Sequence, residues 1–327
     1  MAENGPTEKQ AKNISEELFE FFHWIATPYR DHDWDCEFEE HLEFRKVKTH
    51  PADVVFYYFH PYKNKYIYIH TDLKSYSKKS IDVSRTKIAV RNLSLAVECA
   101  KVSSNWHDMY NLTGNEDYDV EGLLFIFNHD GEYDREFNQV LSSISSDDSM
   151  LRQNCPIAIF GPNQIEQMFN IVKDLQSLIV KGKIGGRDKY SFYYPELFLS
   201  RTHGDSKSNP ATIEMLNSPF MLIKIKNSKN EDGFIIYYNR VPEDLDEFIY
   251  LIDTLSHFQI LLLELPINIR FTKENSNGAK LLEEAKTNYL KSWGQDNTKR
   301  TQLDLIQADT ITEFTKRFNL GEISREE

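Results

Sequence analysis

The 327-residue sequence predicts an α/β protein: a mixed sheet flanked by helices, followed by a second, smaller α/β domain. Three observations carry that expectation. Residues 54–59 and 66–71 are β-branched and aromatic runs on either side of the polar loop Pro61-Tyr62-Lys63-Asn64, which reads as a β-hairpin. Apolar residues at helical spacing precede and follow that hairpin, and two short apolar runs at 122–127 and 157–160 read as buried strands. A further alternation of strands and helices begins near Phe220, and the chain length fits about two domains.

Taken in order, residues 14–25 predict the first helix, because Ile14, Leu18, Phe21, Phe22 and Ile25 form one apolar stripe. Asn13 is placed as its N-cap, with Glu16 completing a capping box. Leu42, Phe44 and Val47 suggest a strand, the first of the sheet, at the end of the acidic stretch 31–43, whose seven acids read mainly as solvated. Asp82 or Ser84 can cap a helix running to about Val102. Gly161-Pro162-Asn163 opens another helix to about Val180, proline being tolerated in a first turn. These boundaries give a first domain at 1–185, a Gly/Ser/Asn-rich linker at 186–210 and a second domain at 211–327. Within the latter, strands are expected at 220–226, 233–240 and 267–271, and helices at 244–263, 279–290 and 309–318.

Composition narrows the function. With 40% hydrophobic and 13% aromatic residues, the chain has ample material for cores. Its net charge of −13 argues against a surface coated in basic residues for nucleic acid. A local basic groove stays compatible with it, since screening limits distant charges to about 8–10 Å. Cys36, Cys99 and Cys155 lie far apart in sequence and in no metal-ligand spacing, which suits a reducing cytoplasm. No apolar run suggests a signal peptide or a membrane span.

The hairpin concentrates the chemistry. Its loop sets a register in which paired residue numbers sum to 125, so Asp53 falls opposite Asp72. Directly opposed residues share a face with Cβ atoms about 4.5–5.5 Å apart, where like charges repel unless a cation lies between them. Lys74 follows two residues after Asp72 and so joins the same face. Two acids and an amine brought together suit a Mg²⁺ site for phosphodiester hydrolysis. The plainer alternative is that all three are solvated strand ends. A second acid-x-Lys triplet, Glu284-Ala285-Lys286, lies in a helical pattern, where residues two apart do not share a face.

Pro51-Ala52-Asp53, followed by Asp72-Leu73-Lys74 at the end of the next strand, resembles the signature of the PD-(D/E)XK nuclease superfamily. The resemblance implies a restriction-endonuclease-like sheet and a Mg²⁺-dependent phosphodiesterase, with Mn²⁺ as a substitute. It implies Asp53, Asp72 and the Leu73 carbonyl as metal ligands, and Lys74 as the group that orients or deprotonates the attacking water. Some members add a carboxylate from the first helix; Glu17 and Glu20 are the candidates, with Glu17 taken forward. Residues 63–101 carry nine basic side chains against three acids, a local +6 beside the paired acids. Phosphate neutralisation is the main source of nucleic-acid affinity, so Lys78, Lys79, Arg85, Lys87 and Arg91 are candidate backbone contacts, with DNA ahead of RNA as substrate. The chain also resembles nuclease subunits of two-component bacterial phage-defence systems, which implies a second protein subunit from the same operon. Homo-oligomerisation is left open. The competing reading is a catalytically inactive nuclease-like scaffold that binds nucleic acid or protein.

Overall fold

A computed structural model describes residues 5–44, 47–115, 117–144, 152–195, 209–273 and 277–311. Among them, contacts divide the chain into two compact units, one up to Met168 and one from Phe169.

The first unit begins with helix α1 (Gly5–Phe21), followed by strand β1 (Ile25–Asp35). The helix starts well before the expected Asn13 cap, and Ile25 opens a strand instead of closing the helix. The stop at Phe21 has a local cause. His23 takes a left-handed φ of 60°, its N–H reaches the Glu20 carbonyl at 3.0 Å, and the Trp24 N–H reaches the Phe19 carbonyl at 3.0 Å. This paired arrangement caps helix ends and is usually accompanied by an apolar contact across it. Here that contact is Trp24 stacked on Phe19, with ring centroids 4.4 Å apart.

The first strand of the sheet is therefore 25–35; of the residues expected to form it, Leu42, Phe44 and Val47 lie outside any strand. Residues Glu39–Glu43 form a short 3-10 turn, and all seven acids of the stretch 31–43 are exposed. Strands β2 (Thr49–His60) and β3 (Lys65–Tyr76) make the expected hairpin, paired from Val54↔Thr71 to His60↔Lys65. His60 Nδ1 accepts the N–H groups of Tyr62 and Lys63, each at 3.2 Å, and Asn64 supplies a positive φ of 54°. Helix α2 (Val83–Ala100) is capped by Asp82, which accepts the Arg85 N–H at 2.9 Å. Helix α3 (Ser104–Tyr110), strand β4 (Tyr118–Asn128), helix α4 (Asn138–Ser142), strand β5 (Ile157–Phe160) and helix α5 (Pro162–Val180) follow.

The sheet order is β1-β2-β3-β4-β5, with β1, β2 and β3 antiparallel and β3, β4 and β5 parallel. Both faces are covered. Phe19 of α1 packs edge-on against Phe56 and Phe125. On the other face Leu93, Val97 and Ala100 of α2 pack with Val55, Tyr68, Val120 and Leu124. Asp53, Asp72 and Lys74 thus belong to a sheet buried on both sides, near the end of the β2–β3 ladder.

The second unit holds strand β6 (Tyr190–Phe192), helix α6 (Ile213–Leu216), strands β7 (Phe220–Lys226) and β8 (Asp232–Tyr238), helix α7 (Leu245–His257), strand β9 (Ile267–Phe271), helices α8 (Gly278–Ser292) and α9 (Asn297–Asp304), and strand β10 (Ile306–Thr310). Its sheet runs β10-β9-β8-β7-β6, with β8, β9 and β10 parallel. The break falls earlier than residue 185 because the later part of α5 belongs to this unit. There, buried Asp174 accepts two bonds from Arg270 at 2.5 Å and one from the Tyr237 hydroxyl at 2.8 Å. Part of the expected linker is sheet, since β6 pairs with β7, while 196–208 lie outside the described residues. Asp309 and Thr310 belong to β10, not to a helix; the rest of that expected helix, 312–318, lies outside the described residues.

Candidate active site and a cysteine–histidine cluster

The β2–β3 ladder is regular up to Val54↔Thr71 and then stops. Ala52 and Val55 pack in one core although strict alternation would put residues three apart on opposite faces, so the strand shifts phase around Asp53. There the Asp53 carboxylate takes over from the backbone: its Oδ2 accepts the Leu73 N–H at 2.6 Å. Within a strand, one residue's N–H and C=O face the same neighbour. The Leu73 carbonyl therefore lies on the edge of β3 that faces Asp53.

Lys74 is the second link. Its ammonium lies 2.6 Å from Asp72 Oδ1. Burial alone would lower its pKa, but the Asp72 carboxylate, and after it Asp53, outweigh burial and hold the amine well above its ordinary value. Both acids therefore act on one ammonium, which is protonated at neutral pH. A carboxylate has about four lone-pair sites and can accept a hydrogen bond and bind a cation together. Two carboxylates and a backbone carbonyl form the oxygen-only donor set that Mg²⁺ prefers. Glu17 is half-buried on α1, the helix packed against β3.

His70 fixes the strand just ahead of Asp53. An indole N–H can only donate, so the Trp106 Nε1–H at 3.3 Å makes His70 Nδ1 the acceptor. The proton then sits on Nε2, which donates to the Pro51 carbonyl at 3.2 Å. His70 is 1% exposed, and this buried tautomer holds β2 to β3 beyond the end of the ladder.

The basic window is less free than its local count suggests. Lys63 meets Glu121 at 2.7 Å, Lys65 meets Asp119 at 2.8 Å, and Lys78 meets Asp134 at 2.6 Å, all acids from outside the window. The Lys78 N–H also bonds Asp130 at 3.0 Å. Arg85 pairs with its own cap, Asp82, at 3.6 Å. Lys79 and Arg85 are exposed, whereas Lys87 and Arg91 are half-buried along α2.

The family model of the GAPS4 protein PD-(D/E)XK nuclease domain matches residues 1–164, half of the chain. The chain belongs to this family. No curated protein and no solved structure matches it. Membership accounts for the order of α1, the β1–β2–β3 meander, α2 and β4, and gives the first unit a nuclease-like fold with catalytic potential. Among the described residues, no helix is long and apolar enough to cross a membrane.

A second constellation went unseen in the sequence. Cys36, His41, His50 and Cys99 bring their ligand atoms within 4.8 Å of one another and could hold a metal ion. This corrects the view that the cysteines stand apart from any ligand set. Cys36 follows β1, His41 sits in the 3-10 turn, His50 opens β2 and Cys99 comes from α2, 63 residues after Cys36. Cys36 and His41, five residues apart, were the available local signal; only the fold brings Cys99 to them. Burial, with the neighbouring Cys36 thiol adding to it, pushes the Cys99 thiol up to about 12. Sulfur and imidazole donors are soft, so this cluster is chemically distinct from the Asp53–Asp72 pair.

Proposed function

We propose that this nuclease-family chain hydrolyses phosphodiester bonds, most naturally of DNA, in a Mg²⁺-dependent reaction centred on Asp53, Asp72 and Lys74. The observation that carries this reading is the single ammonium of Lys74 acted on by both carboxylates beside an interrupted strand ladder. Asp53, Asp72 and the Leu73 carbonyl would hold the ion, with Glu17 as a further carboxylate, and Mn²⁺ would serve in its place. When bound, such an ion polarises the phosphate and lowers the pKa of a bound water. Asp53 anchors the metal edge of β2 to the backbone of β3 through the Leu73 N–H. Lys74, kept protonated by its two neighbours, orients water and offsets charge developing on the phosphate, and does not act as a resting base. Lys79 and Arg85 are exposed for the nucleic-acid backbone, with Lys87 and Arg91 further along α2; Lys78 contributes only if phosphate displaces Asp134.

The wider setting we propose is bacterial anti-phage defence in the cytoplasm, with a second protein from the same operon as partner. The support is the resemblance to two-component defence nucleases, together with a second unit that carries no described catalytic cluster of its own.

Divalent-cation binding separates an enzyme from a scaffold. Thermal melts of the full chain with Mg²⁺ or Mn²⁺ should show stabilisation that Asp53→Ala abolishes. Stabilisation that survives Asp53→Ala, or none in the parent, would refute the assignment of these residues to the ion.

A further inference from the structure

We propose that Cys36, His41, His50 and Cys99 form a closed, tetrahedral Zn²⁺ site that ties the β1–β2 edge of the nuclease sheet to helix α2. The inference is independent of the nuclease reading. It rests first on the shape of the cluster. With Zn–S of about 2.3 Å and Zn–N of about 2.0–2.1 Å, a tetrahedral ion separates two sulfurs by about 3.8 Å and a sulfur from a nitrogen by about 3.6 Å. The two thiols lie 3.6 Å apart, and His41 Nδ1 lies 3.4 Å from Cys36 Sγ and 3.3 Å from Cys99 Sγ. All three edges come within a few tenths of an ångström of a zinc tetrahedron. His50 supplies the fourth corner, its ring 5.6 Å from that of His41.

The environment of His41 is a second, separate observation. Its Nε2 lies 2.9 Å from Glu98 Oε2, and Glu98 is in turn held by Arg152 Nε at 3.0 Å. A carboxylate can only accept there, so the proton sits on Nε2 and the Nδ1 lone pair faces the two sulfurs. Metal-bound histidines are commonly oriented by a carboxylate in this way, which fixes the tautomer and raises ligand basicity.

The donor set selects the metal. Two thiolates with two imidazoles suit zinc and exclude Mg²⁺ as a resident ion. Four protein ligands, three of them buried and Cys36 half-buried, leave no open position of the kind a catalytic zinc keeps. Binding releases the two thiol protons and gives the buried sulfurs a counter-charge. His50 precedes Asp53 by three residues on β2, so the ion would brace the strand that presents that carboxylate.

The full chain, purified under reducing conditions without chelator, should carry about one zinc per chain by elemental analysis. Cys155→Ser should retain the metal, and the Cys36→Ser/Cys99→Ser double variant should lose it. Cobalt exchanged into the parent should give thiolate charge-transfer and tetrahedral ligand-field bands. Should the double variant fail to fold, Glu98→Gln leaves all four ligands in place and should weaken zinc about 10–100-fold in chelator competition. A metal-free parent that takes up neither zinc nor cobalt would overturn the proposal. A Cys36–Cys99 disulfide in the purified chain, with no cobalt uptake after reduction, would do the same. Unchanged affinity in Glu98→Gln would overturn the role given to Glu98.

Discussion

Asp53 has two separable duties, and a pair of substitutions divides them. Its Oδ2 takes the Leu73 N–H at 2.6 Å, past the end of the β2–β3 ladder, and Leu73 is 6% exposed. Hydrogen bonds to a charged group contribute about 1.5–3 kcal/mol, and leaving a buried N–H unsatisfied costs about 1–3 kcal/mol. Asp53→Ala loses the bond outright and should destabilise the first unit by about 2 kcal/mol. Asp53→Asn keeps a carbonyl oxygen at the same place and should cost about half as much or less. Asp53 and Asp72 also repel each other, but both attract the Lys74 ammonium, so relief of repulsion should not cancel the loss. Urea unfolding followed by tryptophan fluorescence, with no added Mg²⁺, reads the difference. With a slope of about 2 kcal/mol per molar urea, the alanine midpoint should drop by about 1 M. Neither variant should gain stability from Mg²⁺. If alanine proved as stable as asparagine, or both more stable than the parent, Asp53 would not be the group that completes the β2–β3 ladder.

Other consequences follow from single contacts. Asp174→Ala leaves the buried Arg270 guanidinium with the exposed Asp309 carboxylate at 3.7 Å in place of its buried partner, and a broken buried pair of this kind costs about 3–5 kcal/mol; the loss should show in the unfolding of the second unit, and a change under 1 kcal/mol would refute it. Burial lowers His23 from 6.5 to about 4, so the unfolded chain binds the proton more readily. Stability should fall by about 3 kcal/mol as pH drops through that interval and level off below it. His23→Asn, which tolerates the left-handed φ, should flatten that slope. Gly161→Ala would set a Cβ 2.1 Å from the buried Phe137 ring, and the resulting overpacking should cost about 1–3 kcal/mol in the first unit. A neutral Gly161→Ala in thermal unfolding would show that Phe137 has room to move.

The sequence exposed those features whose determinants are local. The hairpin register followed from one loop and the alternation of its strands, and α2, β5 and α5 followed from apolar spacing with a clear cap or proline. The second-unit strands β7 and β9 were equally clear because each is a short apolar run between turn residues. Other parts depend on distant partners. β1 carries exposed Asp31, Asp33 and Asp35 and has only Thr27 and Trp34 buried, so its strand character comes from pairing with β2 and not from its own pattern. The end of α1 turns on a left-handed histidine, a conformation that no periodicity reveals. Lys63, Lys65 and Lys78 looked like free cations until the fold supplied Glu121, Asp119 and Asp134. The cysteine–histidine cluster was hidden for the same reason: β1, β2 and α2 must assemble before Cys99 reaches Cys36.

The central claim is that Asp53, Asp72 and Lys74 form a hydrolytic site, and cleavage itself tests it most directly. Plasmid incubated with the purified chain, its neighbouring gene product and Mg²⁺ should be cut. Omitting Mg²⁺ should stop the reaction, and Asp72→Asn or Lys74→Ala should reduce it by at least about 10²-fold while the fold is retained. Undiminished cutting by Asp72→Asn or by Lys74→Ala, or an inert parent under every one of these conditions, would contradict it.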